Sequence, residues 1–352
     1  MDITPYLQLL RDKSGSDLFF TVGAPVKIKI EGAINSVGKT ELNSDLTKAA
    51  AYGIMNDAQQ TSFEDTMECD FAIALPDKSA RFRVNVFRQR GDVGMVLRRI
   101  PAEIPSCGQL GLPPILSELI MHKRGLILMV GATGSGKSTT LAAMINERNK
   151  QMTGHILTIE DPVEFSHPNQ KSIVNQREVG VDTMSYARAL KASLREAPDV
   201  ILIGEIRDRE TMEAALELAN TGHLAISTLH ANNANQAMER VINLFPQDLH
   251  KQLFMDLSLN IRAVISQRLV PSVDGKRVAA IEVLINTPHI ADLILKGDLH
   301  EVKEAMQGSG QKGMQTFDDH LFELFKQERI DMEQALSNAD SRTNLEAKIN
   351  FG

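Results

Sequence analysis

Residues 131–138 read Gly-Ala-Thr-Gly-Ser-Gly-Lys-Ser and match the pattern G-x-x-x-x-G-K-[ST] at every defined position. An apolar run, Leu126–Val130, precedes the motif, and a helical pattern follows it from Lys137 to about Asn149. The glycines let backbone N–H groups turn inward around phosphate oxygens, and the start of a helix adds partial positive charge there. A flexible glycine turn is the alternative, but the strand before and the helix after favour a phosphate-binding loop.

The side chains of this loop have distinct expected roles. Lys137 supplies a mobile cation for the β- and γ-phosphates of a nucleotide, and the Ser138 hydroxyl is a ligand for Mg²⁺. The motif therefore predicts ATP and Mg²⁺ as cofactors, and ATP hydrolysis as the reaction. The expected nucleotide-binding residues are Gly131, Ala132, Thr133, Gly134, Ser135, Gly136, Lys137, Ser138 and Thr139.

In two further segments, an apolar run is followed directly by carboxylates. Glu205 follows Val200–Gly204, and ligands sit at the carboxyl ends of parallel strands. Glu205 could bind Mg²⁺ or polarise the attacking water; as a surface residue it would simply pair with Arg207. Glu164 closes a second acidic segment that begins at Glu160, and one of its acids could activate water. A solvated acidic loop fits that second segment equally well.

Two histidines flank another apolar run, Leu224–Thr228. His230 lies just past the run, where an imidazole could donate a hydrogen bond to a γ-phosphate. His223 lies just before it, after a helical pattern. Such histidines, taken alone, are more often structural or solvated.

The elements that position these residues alternate between strand and helix. Short apolar runs at His155–Glu160, Val200–Ile203 and Leu224–Thr228 are separated by helical patterns at Tyr186–Glu196 and Glu210–Asn220. Continuous apolar strands joined by helices predict a parallel sheet covered on both faces, an α/β fold.

The region before this sheet predicts a separate, smaller α+β domain. It comprises residues 1–100, and residues 101–108 form a linker within a proline-rich stretch, so the larger domain spans 109–352. A helix is predicted over Leu42–Asn56. In a strand at Ala80–Phe87, Arg81 and Arg83 would share one face and Phe82, Val84 and Val86 the other.

Composition and the lengths of the apolar runs argue against several classes of protein. The net charge is −7, which gives no support to a nucleic-acid partner, and two cysteines are too few for a four-cysteine zinc site. The N-terminus lacks a signal-peptide pattern, and the apolar runs are shorter than the ~20 residues that a membrane span needs. These features predict a cytoplasmic protein without direct membrane insertion.

The motifs together resemble the secretion-ATPase superfamily and, within it, the PilT/PilU-type twitching-motility ATPases, over nearly the whole chain. GATGSGKST resembles the family's Walker A segment, ILTIEDPVEFSH its Asp box, ILIGEIRD its Walker B and TGHLAISTLHAN its His box. SDLFFTVGAPVKIKIEG resembles the start of the family's PAS-like N-terminal domain. The resemblance implies a PAS-like α+β domain followed by a RecA-like P-loop ATPase domain with a helical C-terminal tail.

The same resemblance implies roles for particular residues. Glu205 would be the catalytic glutamate and a metal ligand, Glu164 the key acid of the Asp box, and His223 and His230 the paired histidines. A hexameric ring is implied, in which arginines of the N-terminal domain reach a phosphate near a subunit interface. The matching arginines are Arg81, Arg83, Arg90 and Arg98, and the pattern does not say which of them acts.

Two departures place the chain within the family. The missing four-cysteine element favours the retraction branch over the assembly and secretion branch. At His289–Gly297 the chain reads HIADLILKG where PilT-type motors have a segment like AIRNLIRE, and Asp292 stands where an arginine is expected. Both this segment and the C-terminal end resemble the PilU type, which implies an accessory pilus-retraction ATPase with a PilT-type partner and an inner-membrane platform protein.

The alternatives are a hexameric nucleic-acid translocase, a pilus assembly or secretion ATPase, a nucleotide-binding adaptor without turnover, and a P-loop kinase. The acidic composition and the absence of tryptophan speak against the translocase. Intact Lys137, Glu164 and Glu205 speak against the adaptor, and no lid or second-substrate motif supports the kinase.

Overall fold

The computed structural model describes residues 1–30, 32–77, 79–101 and 103–351, so Ala102 of the predicted linker lies outside the described residues. The chain divides into two compact units. The first comprises Met1–Glu103 with Glu164–Ser166, and the second comprises Ile104–Val163 with His167–Gly352. Among the described residues, no helix is both long and apolar enough to cross a membrane.

The first unit contains a six-stranded antiparallel sheet in the order β3-β2-β1-β6-β5-β4. Its elements are α1 (Thr4–Asp12), β1 (Asp17–Phe20), β2 (Lys27–Ile30), β3 (Ala33–Ser36), α2 (Ser44–Tyr52), α3 (Asp57–Thr66), β4 (Glu68–Ala74), β5 (Arg81–Gln89) and β6 (Asp92–Ile100). The predicted alternation in β5 is confirmed, because Phe82, Val84 and Val86 are fully buried while Arg83 is exposed.

The single helix predicted over Leu42–Asn56 is wrong in its extent. The α2 helix ends at Tyr52 and is capped by Gly53, and α3 begins at Asp57 after the N-cap Asn56. Asn56 and Gln59 form a reciprocal capping box, so Asn56 belongs to the start of a new helix and not to the end of the predicted one.

The second unit contains a seven-stranded sheet in the order β13-β12-β7-β11-β10-β8-β9. Its strands are β7 (Gly125–Val130), β8 (Gly154–Glu160), β9 (Ser172–Glu178), β10 (Val200–Ile203), β11 (Leu224–Leu229), β12 (Ile261–Pro271) and β13 (Arg277–Ile285). Its helices are α4 (Ile115–Leu119), α5 (Lys137–Gln151), α6 (Tyr186–Ser193), α7 (Arg209–Asn220), α8 (Ala234–Asn243), α9 (His250–Asn260), α10 (Pro288–Lys296), α11 (Val302–Gly308), α12 (Phe317–Lys326), α13 (Met332–Ser337) and α14 (Arg342–Phe351).

Both faces of this sheet are covered, as predicted. In β7, Leu126, Leu128 and Val130 join one apolar cluster, while Ile127 and Met129 join another. The strands from which the sequence predicted a parallel sheet, β7, β8, β10 and β11, pair in parallel, whereas β13, which was not predicted, pairs antiparallel with β12. A short turn joins these two strands into a hairpin, a connection that only antiparallel neighbours can use.

The last three helices, α12 to α14, form the C-terminal tail, residues 317–351. Their apolar residues, including Phe317 and Leu321, pack on Val270 of β12 and on Val278 and Ala280 of β13. The helical tail predicted by the family resemblance is therefore part of the second unit, resting on the edge of the sheet.

Candidate functional site

The glycine-rich loop joins the carboxyl end of β7 to the first residue of α5, Lys137. The Lys137 Nζ donates to the carbonyl oxygens of Gly131, at 2.7 Å, and Ala132, at 2.9 Å. These carbonyl groups hold the Lys137 ammonium group inside the loop. Residues 132–134 at the tip are exposed, whereas Lys137 is buried.

Two glycines of the loop leave no room for a side chain. At Gly136, with φ +86°, a Cβ would lie 2.8 Å from Gln267 Nε2. At Gly131 it would lie 2.5 Å from Ser135 Oγ and 2.6 Å from the Gln267 carbonyl oxygen. The buried Ser135 hydroxyl has no hydrogen-bond partner among the described residues. A tight backbone cradle with a spare buried donor fits the phosphate groups of a nucleotide.

Gln267, which the motifs did not indicate, supports this loop from β12. Its Nε2 donates to the Ser135 carbonyl oxygen at 2.8 Å, and its Oε1 accepts from Thr140 Oγ1 at 2.7 Å. Gln267, which is 127 residues from Thr140 in the sequence, therefore fixes both the loop and the first turn of α5 to β12. A polar residue within the apolar β12 run was the available signal, but β12 itself was not predicted.

Glu205 lies just beyond the carboxyl end of β10, where the sequence placed it. Its Oε1 is 3.2 Å from His230 Nε2, and its Oε2 accepts from Arg207 Nε at 2.8 Å. The hydrogen bond to Glu205 raises the pKa of Arg207. The side chain of Glu205 is only 16% exposed, so the carboxylate is held between a guanidinium and an imidazole at the edge of the sheet.

Two hydrogen bonds join the segment after β10 to β11 and align the backbone beneath this pair. Thr228 Oγ1 donates to the Gly204 carbonyl at 2.6 Å, and the Ile206 amide donates to the Thr228 carbonyl at 3.0 Å. A Cβ at Gly204 would lie 2.6 Å from the Tyr186 hydroxyl. Burial and the charge of Asp161 raise the pKa of Tyr186, so this hydroxyl stays protonated beside Glu205.

The three acids of the segment 160–164 have different neighbours. Glu160 Oε1 accepts from Thr158 Oγ1 at 2.6 Å and from Gln176 Nε2 at 3.3 Å. Asp161 lies 3.9 Å from Arg207 and so belongs to the Glu205 cluster. Glu164 falls in the first compact unit, and its role as the key acid stays a prediction.

The two histidines lie at opposite ends of β11. His230 follows its carboxyl end, whereas the Nδ1 of His223, before its amino end, lies 3.2 Å from the Leu218 carbonyl. The strand between them spans about 20 Å at about 3.3 Å per residue. Within one chain the structure therefore places His230 beside Glu205, whereas His223 lies at the opposite, amino end of β11.

The four arginines occupy two places in the first unit. Arg83 of β5 is the cross-strand partner of Arg98 of β6, and Arg81 lies two residues away. Arg90 lies in the turn at the far end of this hairpin, with φ +52°. The Arg98 Nε bonds Asp17 at 2.8 Å, yet its side chain remains 71% exposed. A role as an arginine finger stays a prediction for each of them.

Two cavities flank the loop within the second unit. One, of about 450 Å³, is lined by Gly131, Ala132, His230, Ala231, Asn232, Gln236, Glu239, Arg240 and Asn243. The other, of about 340 Å³, is lined by Gly131, Ala132, Thr133, Gly134, Ser135, Asn232, Gln267, Arg268, Leu269, Arg277 and Asn338. His230, the partner of Glu205, lines the first cavity, and residues of β12, β13 and the tail line the second.

The described residues contain no cluster of three or more His, Cys, Asp or Glu side chains arranged to hold a metal ion. Ser138, half-buried in the first turn of α5, and Glu205 are the residues from which the sequence predicted Mg²⁺ ligands. Proteins often hold Mg²⁺ through one or two side chains together with phosphate oxygens, and the role of Ser138 and Glu205 as its ligands stays a prediction.

A covered, mainly parallel sheet with a glycine cradle at the end of β7 and an acid at the end of β10, two strands away, defines a P-loop nucleotide-binding protein of the RecA-like type. A family model described as "Type II/IV secretion system protein" matches residues 3–321, so the chain belongs to that family.

The relatives are similar over their full lengths. The chain is 54% identical to the type IV pilus ATPase PilU of Pseudomonas aeruginosa, covering 100% of this chain and 92% of that protein. It is 42% identical to the type IV pilus retraction ATPase PilT of the same organism, covering 98% and 100%. A crystal structure of the pilus retraction motor PilT with bound ADP matches with a TM-score of 0.91 and 42% identity, covering 98% and 99% of the two chains. The resemblance stated from the motifs is confirmed, as is the two-part α/β architecture.

Proposed function

We propose that this chain is an ATP-hydrolysing motor of the type IV pilus machinery and assists pilus retraction as the accessory of a PilT-type ATPase. The single observation that carries the hydrolytic role is the Glu205–His230 pair, 3.2 Å apart, beside the cavity that the P-loop lines. The similarity to PilU and PilT supports the pilus role and does not favour a nucleic-acid translocase or a pilus assembly ATPase.

The two cavities support one orientation of the bound nucleotide, with its γ-phosphate in one cavity and its nucleoside in the other. The reacting γ-phosphate belongs on the side of His230 and Glu205, because that is where an acid and an imidazole meet. The phosphate chain then passes through the loop, and the nucleoside extends into the cavity lined by Gln267, Arg268 and Asn338.

In this arrangement the P-loop binds the phosphates and the Glu205 cluster acts on the attacking water. Lys137 leaves the loop carbonyls to contact the β- and γ-phosphates, and the loop amides bind their oxygens. The Glu205 carboxylate orients the attacking water and accepts its proton, while Arg207 and His230 hold that carboxylate in place. During transfer the His230 Nε2–H shifts from the Glu205 carboxylate to donate a hydrogen bond to the phosphate. Mg²⁺, bound through Ser138 and Glu205, would neutralise charge on the phosphate oxygens.

The assembled motor is a ring of copies of this chain, a hexamer, in which N-terminal arginines of one copy complete the site of another. It docks at the cytoplasmic face of the inner membrane, where it acts on a pilus platform protein. The similarity to PilT and PilU along the full chain supports this part of the proposal.

The test is phosphate release by the purified chain, alone and with a PilT-type partner. Turnover by the wild type and its loss in Glu205→Gln are expected, while Glu210→Gln, an exposed acid on α7, serves as the matched control. Equal turnover in all three proteins would refute the hydrolytic assignment.

The accessory role needs a separate experiment in cells. The gene for the PilT-type partner is deleted while this chain is kept at its normal level, and retraction of fluorescent pili is recorded. We expect retraction to stop. Sustained retraction in those cells would show that this chain is a primary motor.

A further inference from the structure

The C-terminal tail forms part of the wall of the proposed nucleoside cavity. Asn338, between α13 and α14, lines this cavity opposite the loop residues Gly131–Ser135. The tail is not a loose appendage, because Phe317 and Ala335 are fully buried in its contact with the sheet. The segment Asn338–Asp340, called here the tail corner, is therefore presented to the nucleotide site by a packed structure.

Arg268 of β12 is the residue that joins the tail corner to the site. Its Nη1 donates to the Asn338 carbonyl oxygen at 2.8 Å, and its Nη2 pairs with Asp340 Oδ1 at 2.6 Å. Its guanidinium carbon also lies 3.9 Å from the centre of the Phe317 ring. A planar group with several donors suits this combination of contacts, and a lysine could make only part of it.

The same guanidinium reaches the loop that follows His230. Its Nη2 lies 3.5 Å from the Asn232 carbonyl oxygen, and Asn232 lines both cavities beside the P-loop. Arg268 thus contacts the tail corner on one side and the loop His230–Asn233 on the other. Its own side chain also lines the proposed nucleoside cavity.

The tail corner has other supports, so it should remain folded without Arg268. Lys303 Nζ pairs with Asp340 Oδ2 at 3.0 Å. The Asp318 carboxylate accepts from the backbone amides of Asp340, at 2.7 Å, and Ser341, at 3.0 Å. Loss of Arg268 would accordingly loosen the corner relative to the nucleotide site while leaving its local turn in place.

We propose that Arg268 is a positioning residue for the bound nucleotide, fixing the tail corner and the loop His230–Asn233 as two walls around the P-loop. This inference rests on the proposed function, since it assigns a role to the nucleoside side of the same site. It makes the tail a determinant of nucleotide affinity, although the tail carries none of the recognised motifs.

The first test uses the full chain as wild type, Arg268→Gln, Arg268→Lys and the control Arg342→Gln. Arg342 is an exposed arginine at the start of α14, outside both cavities. In Arg268→Gln we expect the KM for ATP and the Kd for a fluorescent ADP analogue to rise roughly tenfold, as loss of charged hydrogen bonds would cause. The fall in kcat is smaller than the rise in KM, Arg268→Lys lies between, and Arg342→Gln resembles the wild type. A folded Arg268→Gln protein with unchanged KM and Kd overturns the proposal.

The second test is hydrogen exchange of the Asp340 and Ser341 amides with and without ADP. We expect ADP to slow their exchange in the wild type and to have much less effect in Arg268→Gln. If that variant does not fold, the wild-type comparison decides, and exchange unaffected by bound ADP overturns the proposal. A wild type that binds ADP without hydrolysing ATP would refute the proposed activity, while both Arg268 measurements on ADP could still be made.

Discussion

His320 of α12 provides a pH-dependent link between the C-terminal tail and the sheet. Its Nδ1 accepts a hydrogen bond from the Ile281 backbone amide of β13 at 2.9 Å, which requires that nitrogen to be unprotonated. Burial, followed by the charge of Arg329, lowers the pKa of His320 from 6.5 to about 4. Protonation would place a hydrogen against the Ile281 N–H and break the contact.

The sign of the effect follows from this lowered pKa. Between pH 6.5 and about 4 the unfolded chain binds a proton at His320 that the folded chain does not. The stabilisation is therefore fully present above pH 6.5 and is lost as the pH falls. By pH 5 the loss amounts to about 2 kcal/mol, approaching about 3 kcal/mol below pH 4.

The assay compares the wild type with His320→Asn, whose side-chain oxygen can accept from Ile281 but does not titrate. Urea unfolding followed at pH 8 and pH 5 gives the pH-dependent change for each protein, and the difference between the two changes isolates His320 from the carboxylates. The wild type should lose about 2 kcal/mol more than the variant between these pH values. Equal losses would refute the assignment of a neutral imidazole at His320.

Three further predictions concern the nucleotide site. Lys137→Ala should abolish phosphate release while circular dichroism and thermal melting show an intact fold; normal release would rule out the P-loop assignment. Glu205→Gln should still bind the fluorescent ADP analogue with near-normal affinity but lose turnover by about 10²-fold or more, as the removal of a general base does; full activity would transfer the base to another acid such as Glu164. Joint replacement of Arg83 and Arg98 with glutamine should reduce turnover by roughly 10³-fold, the size of an arginine-finger effect, without changing ADP affinity; turnover at the wild-type rate would exclude both arginines as the finger.

Local chemistry made the nucleotide site predictable. The spacing of glycines and lysine requires a particular backbone around phosphate, so eight consecutive residues identified the loop without any tertiary information. The placement of Glu205 and His230 at the same end of the sheet was predictable because parallel strands bring their carboxyl ends together, while their roles stay predictions. The same argument predicts no place for His223 at this site, because the six residues of β11 separate it from the carboxyl end of the strand.

Residues that act through long-range contacts were not predictable in this way. Gln267 and Arg268 lie on β12, which sequence periodicity did not reveal because its apolar and polar residues follow α9 without a turn signal. Their partners lie far away in sequence, at Thr140 and Asp340. Only the pairing of β12 with β7 brings these side chains to the P-loop.

The structure also changes how Asp292 of α10 should be understood. The sequence suggested a charge reversal on the face of a helix, and Asp292 is indeed exposed on α10, but its carboxylate pairs with Lys296 Nζ at 2.6 Å. An exposed pair one helical turn apart contributes little to stability, and it partly cancels the added negative charge. A difference in partner choice at α10 would therefore depend on the shape and the apolar residues of that surface, such as the half-exposed Leu295, as well as on the sign of one charge. No residue of α10 lines either cavity beside the P-loop, so an accessory role at α10 is compatible with complete chemistry there.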